Sequence, residues 1–235
     1  MLCFRNLSNK ISQVTFIGMG STIEQKRAGH PEFIFVGEHP AIDFANTISN
    51  AQGQGTEHFR AWPDVLDWLS VAGLSTDPSL NLSASRGAEA LQRVLELRQG
   101  WQAVLAQIVA GGDVSDEFME HLNRLLRSAS FHETLQHDGK HRFNLVRAFS
   151  RLSGEQLALG IFARQIALFL TEADLKYLRR CANTTSCVLY FYDTTKNHRR
   201  RWCSVAVCGN RHKVAEFRKR QRKINKTSAR RRARS

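Results

Sequence analysis

Residues Cys181 to Lys213 read CANTTSCVLYFYDTTKNHRRRWCSVAVCGNRHK, and four of the chain's five cysteines fall in this stretch. They form two close pairs, Cys181-x5-Cys187 and Cys203-x4-Cys208, with fifteen residues between them. Each pair can supply two thiolates from one tight turn, and a strand-like segment between them brings the turns together, as a tetrahedral four-thiolate zinc site requires. Two disulfides or four unconnected buried thiols are the alternatives. Against them, the first twenty residues carry Arg5 and Lys10 without a compact apolar run that would direct export, and scattered core cysteines would not fall in pairs. One structural zinc per chain, held by Cys181, Cys187, Cys203 and Cys208, is the expected cofactor. His198 and His212 lie among basic residues, with no cysteine missing for them to replace. Cys3 reads as an ordinary reduced thiol.

The run Arg200-Arg201-Trp202-Cys203-Ser204, followed by Cys208-Gly209-Asn210-Arg211 and Lys213, resembles the CGNR zinc finger, which takes its name from that tetrapeptide. Cys181-Ala182-Asn183, Cys187, Phe191 and Asp193-Thr194 fall where that family has its first cysteine pair and its F-x-D-T/S turn. One departure is visible: five residues separate the first two cysteines where the family usually has four, which alters the turn at Thr184, Thr185 and Ser186. The resemblance implies an N-terminal ABATE domain, a transcription-regulator module. Asp43-Phe44-Ala45-Asn46-Thr47 after a strand and a glycine turn, and Trp68, Ala72, Gly73 and Leu74, look like recurring features of that domain.

Charge is divided unevenly along the chain. Residues 176–235 hold nineteen of the thirty-four Lys and Arg but only Asp193 and Glu216 of the twenty-one acids, leaving fifteen basic and nineteen acidic residues in 1–175. A mildly acidic body with a strongly basic end is the layout of a protein that meets a polyanion with one end. Nucleic acid is favoured over anionic membrane, because the basic segment has few large apolar residues to bury in lipid. No apolar run approaches the roughly twenty residues that a spanning helix needs. The expected location is cytoplasmic, at the nucleoid if the partner is DNA.

Four segments follow from composition and periodicity. Residues 1–31 show no clear period and read as a poorly ordered extension, with Met19 as an alternative start. Their Gly18-Met19-Gly20 lacks the third glycine and the Lys of a phosphate loop. Residues 32–175 read as an ABATE-like helical domain: a strand at 33–36, helices at 61–69, 83–110, 115–127 and 154–170, and a hairpin in which 131–135 and 142–146 flank Asp138-Gly139. The apolar stripes are core. Residues 176–223 form the zinc ribbon and a basic helix over 213–223, and 224–235 reads as a disordered basic tail. The expected fold is mainly α, a multihelical domain with small β-hairpins followed by a four-cysteine ribbon.

No catalytic arrangement stands out. His132-Glu133 lacks the second histidine of a zinc-protease helix, and neither a Gly-x-Ser-x-Gly elbow nor a Gly-Lys-Thr/Ser loop occurs. A filled four-cysteine site leaves no position for water, so the chain is expected not to be an enzyme. The expected function is a DNA-binding transcription regulator whose N-terminal domain senses a small-molecule effector or makes a homodimer. The alternative is an RNA-binding or ribosome-associated protein, signalled by Tyr190 and Tyr192 if they stack on unpaired bases. Candidate nucleic-acid contacts are Arg199, Arg200, Arg201, Asn210, Arg211, Lys213, Arg218 and Arg220, with Asn210 and Arg211 suited to base edges. Asp43, Asn46 and Thr47 could converge on a small polar ligand, or could cap helices and close turns.

Overall fold

The computed structural model describes residues 33–232 apart from 52–53, 130, 138, 140–141 and 150–151; the expected N-terminal extension lies outside the described residues. The chain is mainly α, with six helices and three two-stranded antiparallel sheets among the described residues. α1 spans Pro40–Ala45, begun by Pro40 and by His39, whose Nδ1 accepts from Ala41 N–H at 3.1 Å. A hairpin of β1 (Ile48–Ala51) and β2 (Gln54–Glu57) follows. α2 (Trp62–Val71) starts where the Asp64 carboxylate accepts from the backbone N–H groups of Arg60 and Ala61, and it stops before Gly73 at φ +68°. α3 (Ala84–Val109) ends before Gly111, also left-handed. α4 (Asp116–Ser128), the hairpin β3 (Phe131–His137) and β4 (Phe143–Phe149), and α5 (Gly154–Glu172) complete the N-terminal part. Ser153 and Gln156 bond reciprocally at the start of α5, a capping box.

α5 is the axis of the core. Its Phe162 stacks on Phe44 of α1 with centroids 4.1 Å apart, and Trp68 and Phe59 close the same aromatic cluster. Trp101 of α3 donates from Nε1 to Ala41 O at 2.8 Å, fixing α1 against the long helix. A Cβ at Gly160 would meet Ala129 Cβ at 2.0 Å, so only glycine lets the end of α4 approach α5 this closely.

The C-terminal part begins with β5 (Leu178–Arg180), paired with β6 (Tyr190–Tyr192). It continues through a π-helical turn, Val205–Gly209, into α6 (Asn210–Arg232). Helices and the β3–β4 hairpin fall where periodicity and Asp138-Gly139 place them. Three features differ. Phe33–Val36 joins no sheet; the backbone groups of Val36 go to side chains instead, its N–H to Asp43 Oδ1 and its O to the Arg200 guanidinium. The β1–β2 hairpin was hidden by polar residues that give no alternation. α6 starts at Asn210 and runs nine residues past the expected end at 223, through most of the stretch expected to be a disordered tail; Lys, Arg, Gln and Ala favour helix even without an apolar face.

Candidate metal centre and its basic helix

Cys181 follows β5, and its N–H donates to Leu189 O at 2.9 Å, which starts the first knuckle. Ser186 N–H bonds Asn183 O at 3.2 Å and the Asn183 amide bonds Ser186 Oγ at 2.9 Å, so the extra residue of this pair is absorbed in a closed turn before Cys187. Cys203 and Cys208 form the second knuckle. There Ser204 O accepts from Cys208 and Gly209 N–H, and Ser204 Oγ accepts from Val207 N–H.

The four Sγ atoms lie within 4.8 Å of one another and all four cysteines are buried. Cys187–Cys203 and Cys203–Cys208 sulfurs are each 3.6 Å apart, well beyond a disulfide bond. A tetrahedral ion with metal–sulfur bonds of about 2.3 Å would set sulfurs about 3.8 Å apart, so the spacing fits a single four-coordinate ion. Protonation points the same way. The other three thiols donate toward Cys181 and hold it well below the ordinary thiol range, while the bonds to Cys181 push Cys187 and Cys203 well above it. Four thiolates cannot coexist here without a central cation to offset their repulsion.

The surroundings of this centre are shared with the helical domain. Phe33–Val36 alternates: Phe33 and Phe35 enter the aromatic core, Phe35 stacking on Trp68 at 5.9 Å, while Ile34 and Val36 pack on the cysteines. Asn46 of the N-terminal part makes two buried bonds with the backbone of Tyr190 in β6, Nδ2 donating to its O and Oδ1 accepting its N–H, both at 2.9 Å. Tyr192 N–H donates to Gly37 O at 3.0 Å. Arg200 acts as a clamp. Its guanidinium bonds Glu38 Oε1 at 2.7 Å, Val36 O at 3.2 Å and the carbonyls of Trp202 and Cys203, and it lies 4.5 Å over the Phe191 ring.

Several sequence-predicted residues therefore take other roles. Asp43, Asn46 and Thr47 are buried and committed to the scaffold rather than gathered round a ligand site. The Asp43 carboxylate accepts from Val36 and Gly37 N–H at 3.0 and 2.7 Å, Asn46 holds Tyr190, and Thr47 Oγ1 donates to Phe44 O while accepting from Arg98. Gly37 packs closely on Asp43, and a Cβ there would lie 2.8 Å from Asp43 Oδ1. Arg200 is corrected in the same way: with its guanidinium turned into the seam, it is not available as a polyanion contact. Tyr190 is buried, and Tyr192 packs edge-on to Phe169 while its hydroxyl accepts from Asp174 N–H, so neither ring presents a stacking face.

The remaining basic candidates stay at the surface. Arg199, Arg201, Asn210, Arg211, Lys213, Arg218 and Arg220 are all exposed. Arg201 lies over the Trp202 ring at 5.1 Å. The Asp193 carboxylate is occupied by Thr195 and by the backbone N–H of Arg200, so it does not draw Arg211 inward. Sequence reasoning missed the Arg98–Glu57 pair, in which a buried guanidinium meets the half-buried carboxylate at the end of β2, and the double role of residues 33–36. The unbroken apolar run Phe33-Ile34-Phe35-Val36 was the available signal, because a strand that is apolar on both faces has two cores to fill.

A helical body interlocked with a four-cysteine knuckle and continued by a basic helix has the donor set of a metal-binding protein. Residues 38–173 match the family model ABATE, described as "Putative stress-induced transcription regulator", and residues 177–221 match the CGNR zinc finger. The first match spans more than half of the chain, which therefore belongs to the ABATE family and carries a CGNR zinc finger. No curated protein matches it. Among the described residues no helix is long and apolar enough to cross a membrane.

Proposed function

We propose that this chain is a zinc-containing DNA-binding regulator in which the thiolate centre fixes the start of α6 as the reading element. The observation that carries the proposal is α6, with eleven Lys and Arg against one acid, Glu216, rooted directly behind the ligand Cys208. Its 23 residues extend about 35 Å, close to one turn of B-DNA. Asn210 and Arg211, nearest the metal, have the donor geometry for base edges, while Arg199, Arg201, Lys213, Arg218 and Arg220 suit phosphates. Zinc suits the all-thiolate tetrahedral donor set and leaves no open coordination position, so the reading is of a binding protein rather than an enzyme. The N-terminal domain sets the oligomeric state or takes an effector at a place other than Asp43, Asn46 and Thr47. The engagement of Tyr190 and Tyr192 in packing supports duplex over single-stranded RNA as the partner.

The test is selection from a random duplex pool with structured RNA as competitor, on protein whose metal has been assayed as zinc or iron. A preferred duplex should emerge, and Arg211→Ala should weaken it by about 1–3 kcal/mol while weakening random DNA much less. RNA outcompeting every duplex, or equal loss on both DNAs with the metal retained, would overturn this reading.

A further inference from the structure

The first turns of α6 place their residues in the reverse of the usual order. The His212 ring lies 5.8 Å from that of Trp202, beside the ligand Cys203, and His212 and Glu216 are both half-buried. That side of the helix therefore looks toward the knuckle. Asn210, Val214, Phe217 and Gln221 follow at steps of four, three and four residues, so they share one face, on the side away from His212. All four are exposed, Val214 by 46% and Phe217 by 61%. A surface helix ordinarily buries its apolar residues and turns its polar ones outward. The exposed cations stand on both sides of this neutral face: by helical spacing Lys213 and Arg220 lie along one flank, and Arg211, Arg218 and Arg222 along the other.

We propose that Asn210, Val214, Phe217 and Gln221 are the base-reading face of α6 and select A·T pairs in the major groove of duplex DNA. The inference rests on the DNA reading above and adds which base pairs are chosen and by which side chains. Charge complementarity orients the helix. Cations on both flanks suit the two phosphate strands that border the groove, and the neutral face between them is left for base edges. Every member of that face has a partner on an A·T pair. Asn and Gln amides bond bidentately to N6 and N7 of adenine, and apolar side chains such as Phe pack on the C5-methyl of thymine. Arg211 stands at the metal-proximal border of the face, so the role given to it above is unchanged. An acidic protein segment would match the cations too, but two apolar side chains fall far short of the roughly 800 Å² per partner in a standard protein interface. An apolar partner would also strip water from the Asn210 and Gln221 amides without offering bonds in return.

Titration of the full, metal-loaded chain at fixed salt against three duplexes of equal length, alternating dA·dT, dA·dU and dG·dC, tests this. Deoxyuridine lacks only the thymine methyl. The dA·dT duplex should bind tightest, dA·dU on the order of tenfold more weakly, as loss of two buried methyl contacts predicts, and dG·dC at least as weakly as dA·dU. Val214→Ala combined with Phe217→Ala should bind dA·dT and dA·dU equally, while its unchanged cations still hold all three duplexes. Gln221→Ala should narrow the gap between dA·dT and dG·dC and leave the gap between dA·dT and dA·dU intact. Metal content and helical circular dichroism should match throughout; if the double variant fails that check, Phe217→Ala alone carries the test, with the methyl gap cut to about threefold. Equal wild-type affinity for the three duplexes, or a methyl gap that survives in the double variant, would overturn the proposal and leave the DNA reading standing. Binding to none of the duplexes would overturn both.

Discussion

The molecule contains two hairpins whose lengths and environments run opposite ways. β5–β6 pairs only three residues per strand, yet Leu178, Tyr190 and Phe191 are buried. β3–β4 pairs seven and leaves Leu135, Phe143 and Leu145 in water. What secures a two-stranded unit is therefore the number of directions from which it is covered, not the number of rungs. Around β5–β6 those directions are the four thiols and the Arg200 guanidinium from the same part of the chain, and Ile34, Val36 and the Asn46 amide from the distant N-terminal part. The thiolate centre and the helical body therefore share one packed, hydrogen-bonded seam.

The strongest way to break that comparison is to remove a ligand. Cys203→Ser should release the metal and destabilise the whole body by on the order of 5 kcal/mol, because metal binding energy is folding energy where the site is part of the core. Metal analysis together with thermal melting of the helical signal checks it; loss of metal with an unchanged melt would show two independent units. Replacing the β3–β4 hairpin with a short Gly/Ser linker should, by contrast, leave the metal content whole.

Asn46→Ala comes next, at about 2–4 kcal/mol, since it strands the buried N–H and carbonyl of Tyr190. Urea titration gives the value, and a cost below about 1 kcal/mol would mean that water replaces the amide and the seam is looser than drawn. Arg200→Ala should cost about 2 kcal/mol, typical of charge-assisted bonds to buried carbonyls. Arg199→Ala, one residue away and exposed, should cost less than about 0.5 kcal/mol while reducing polyanion affinity and the salt slope. The pair of substitutions separates scaffold cations from surface cations.

A pH dependence gives the last test. Burial pushes the Asp43 carboxyl up to about 7 against the pull of two backbone N–H groups, and burial lowers His39 to about 4. An acid whose folded value is raised holds its proton in the native state, so its contribution to stability is present at low pH and is lost as pH rises toward 7. His39 works the other way, since its neutral form caps α1 and its contribution is lost as pH falls from the ordinary histidine range toward 4. In Asp43→Asn only the histidine component remains. The stability of the wild type relative to this variant should therefore fall between pH 5 and 7, by less than about 1.4 kcal/mol per pH unit, and level off above. A difference that stays constant with pH would show that Val36 and Gly37 keep Asp43 ionised throughout.

Much of this protein was legible from residue order alone, and for a local reason. Cysteine pairs at turn spacing, apolar stripes at helical period, Asp138-Gly139 between alternating segments and a block of Arg and Lys each encode what a neighbouring stretch does. The helices, the long hairpin, the four ligands and the basic end follow from such signals. The β1–β2 hairpin did not, because its polar strands lack alternation. Nor did the roles of individual polar residues. Asp43, Asn46 and Thr47 have the composition of a ligand site and Arg200 that of a phosphate contact, and nothing in their spacing says otherwise.

Only the tertiary structure assigned them, because a polar side chain's role depends on which backbone groups are left unpaired beside it after folding. Asn46 meets the backbone of Tyr190, 144 positions away, and Arg200 meets Val36, 164 positions away. The sequence by itself determined the metal donors and the polarity of charge. The packing decided which cations are spent inside, which remain for a partner, and that the thiolate centre and the helical body share one seam, because desolvated donors and acceptors must find partners wherever the fold brings them.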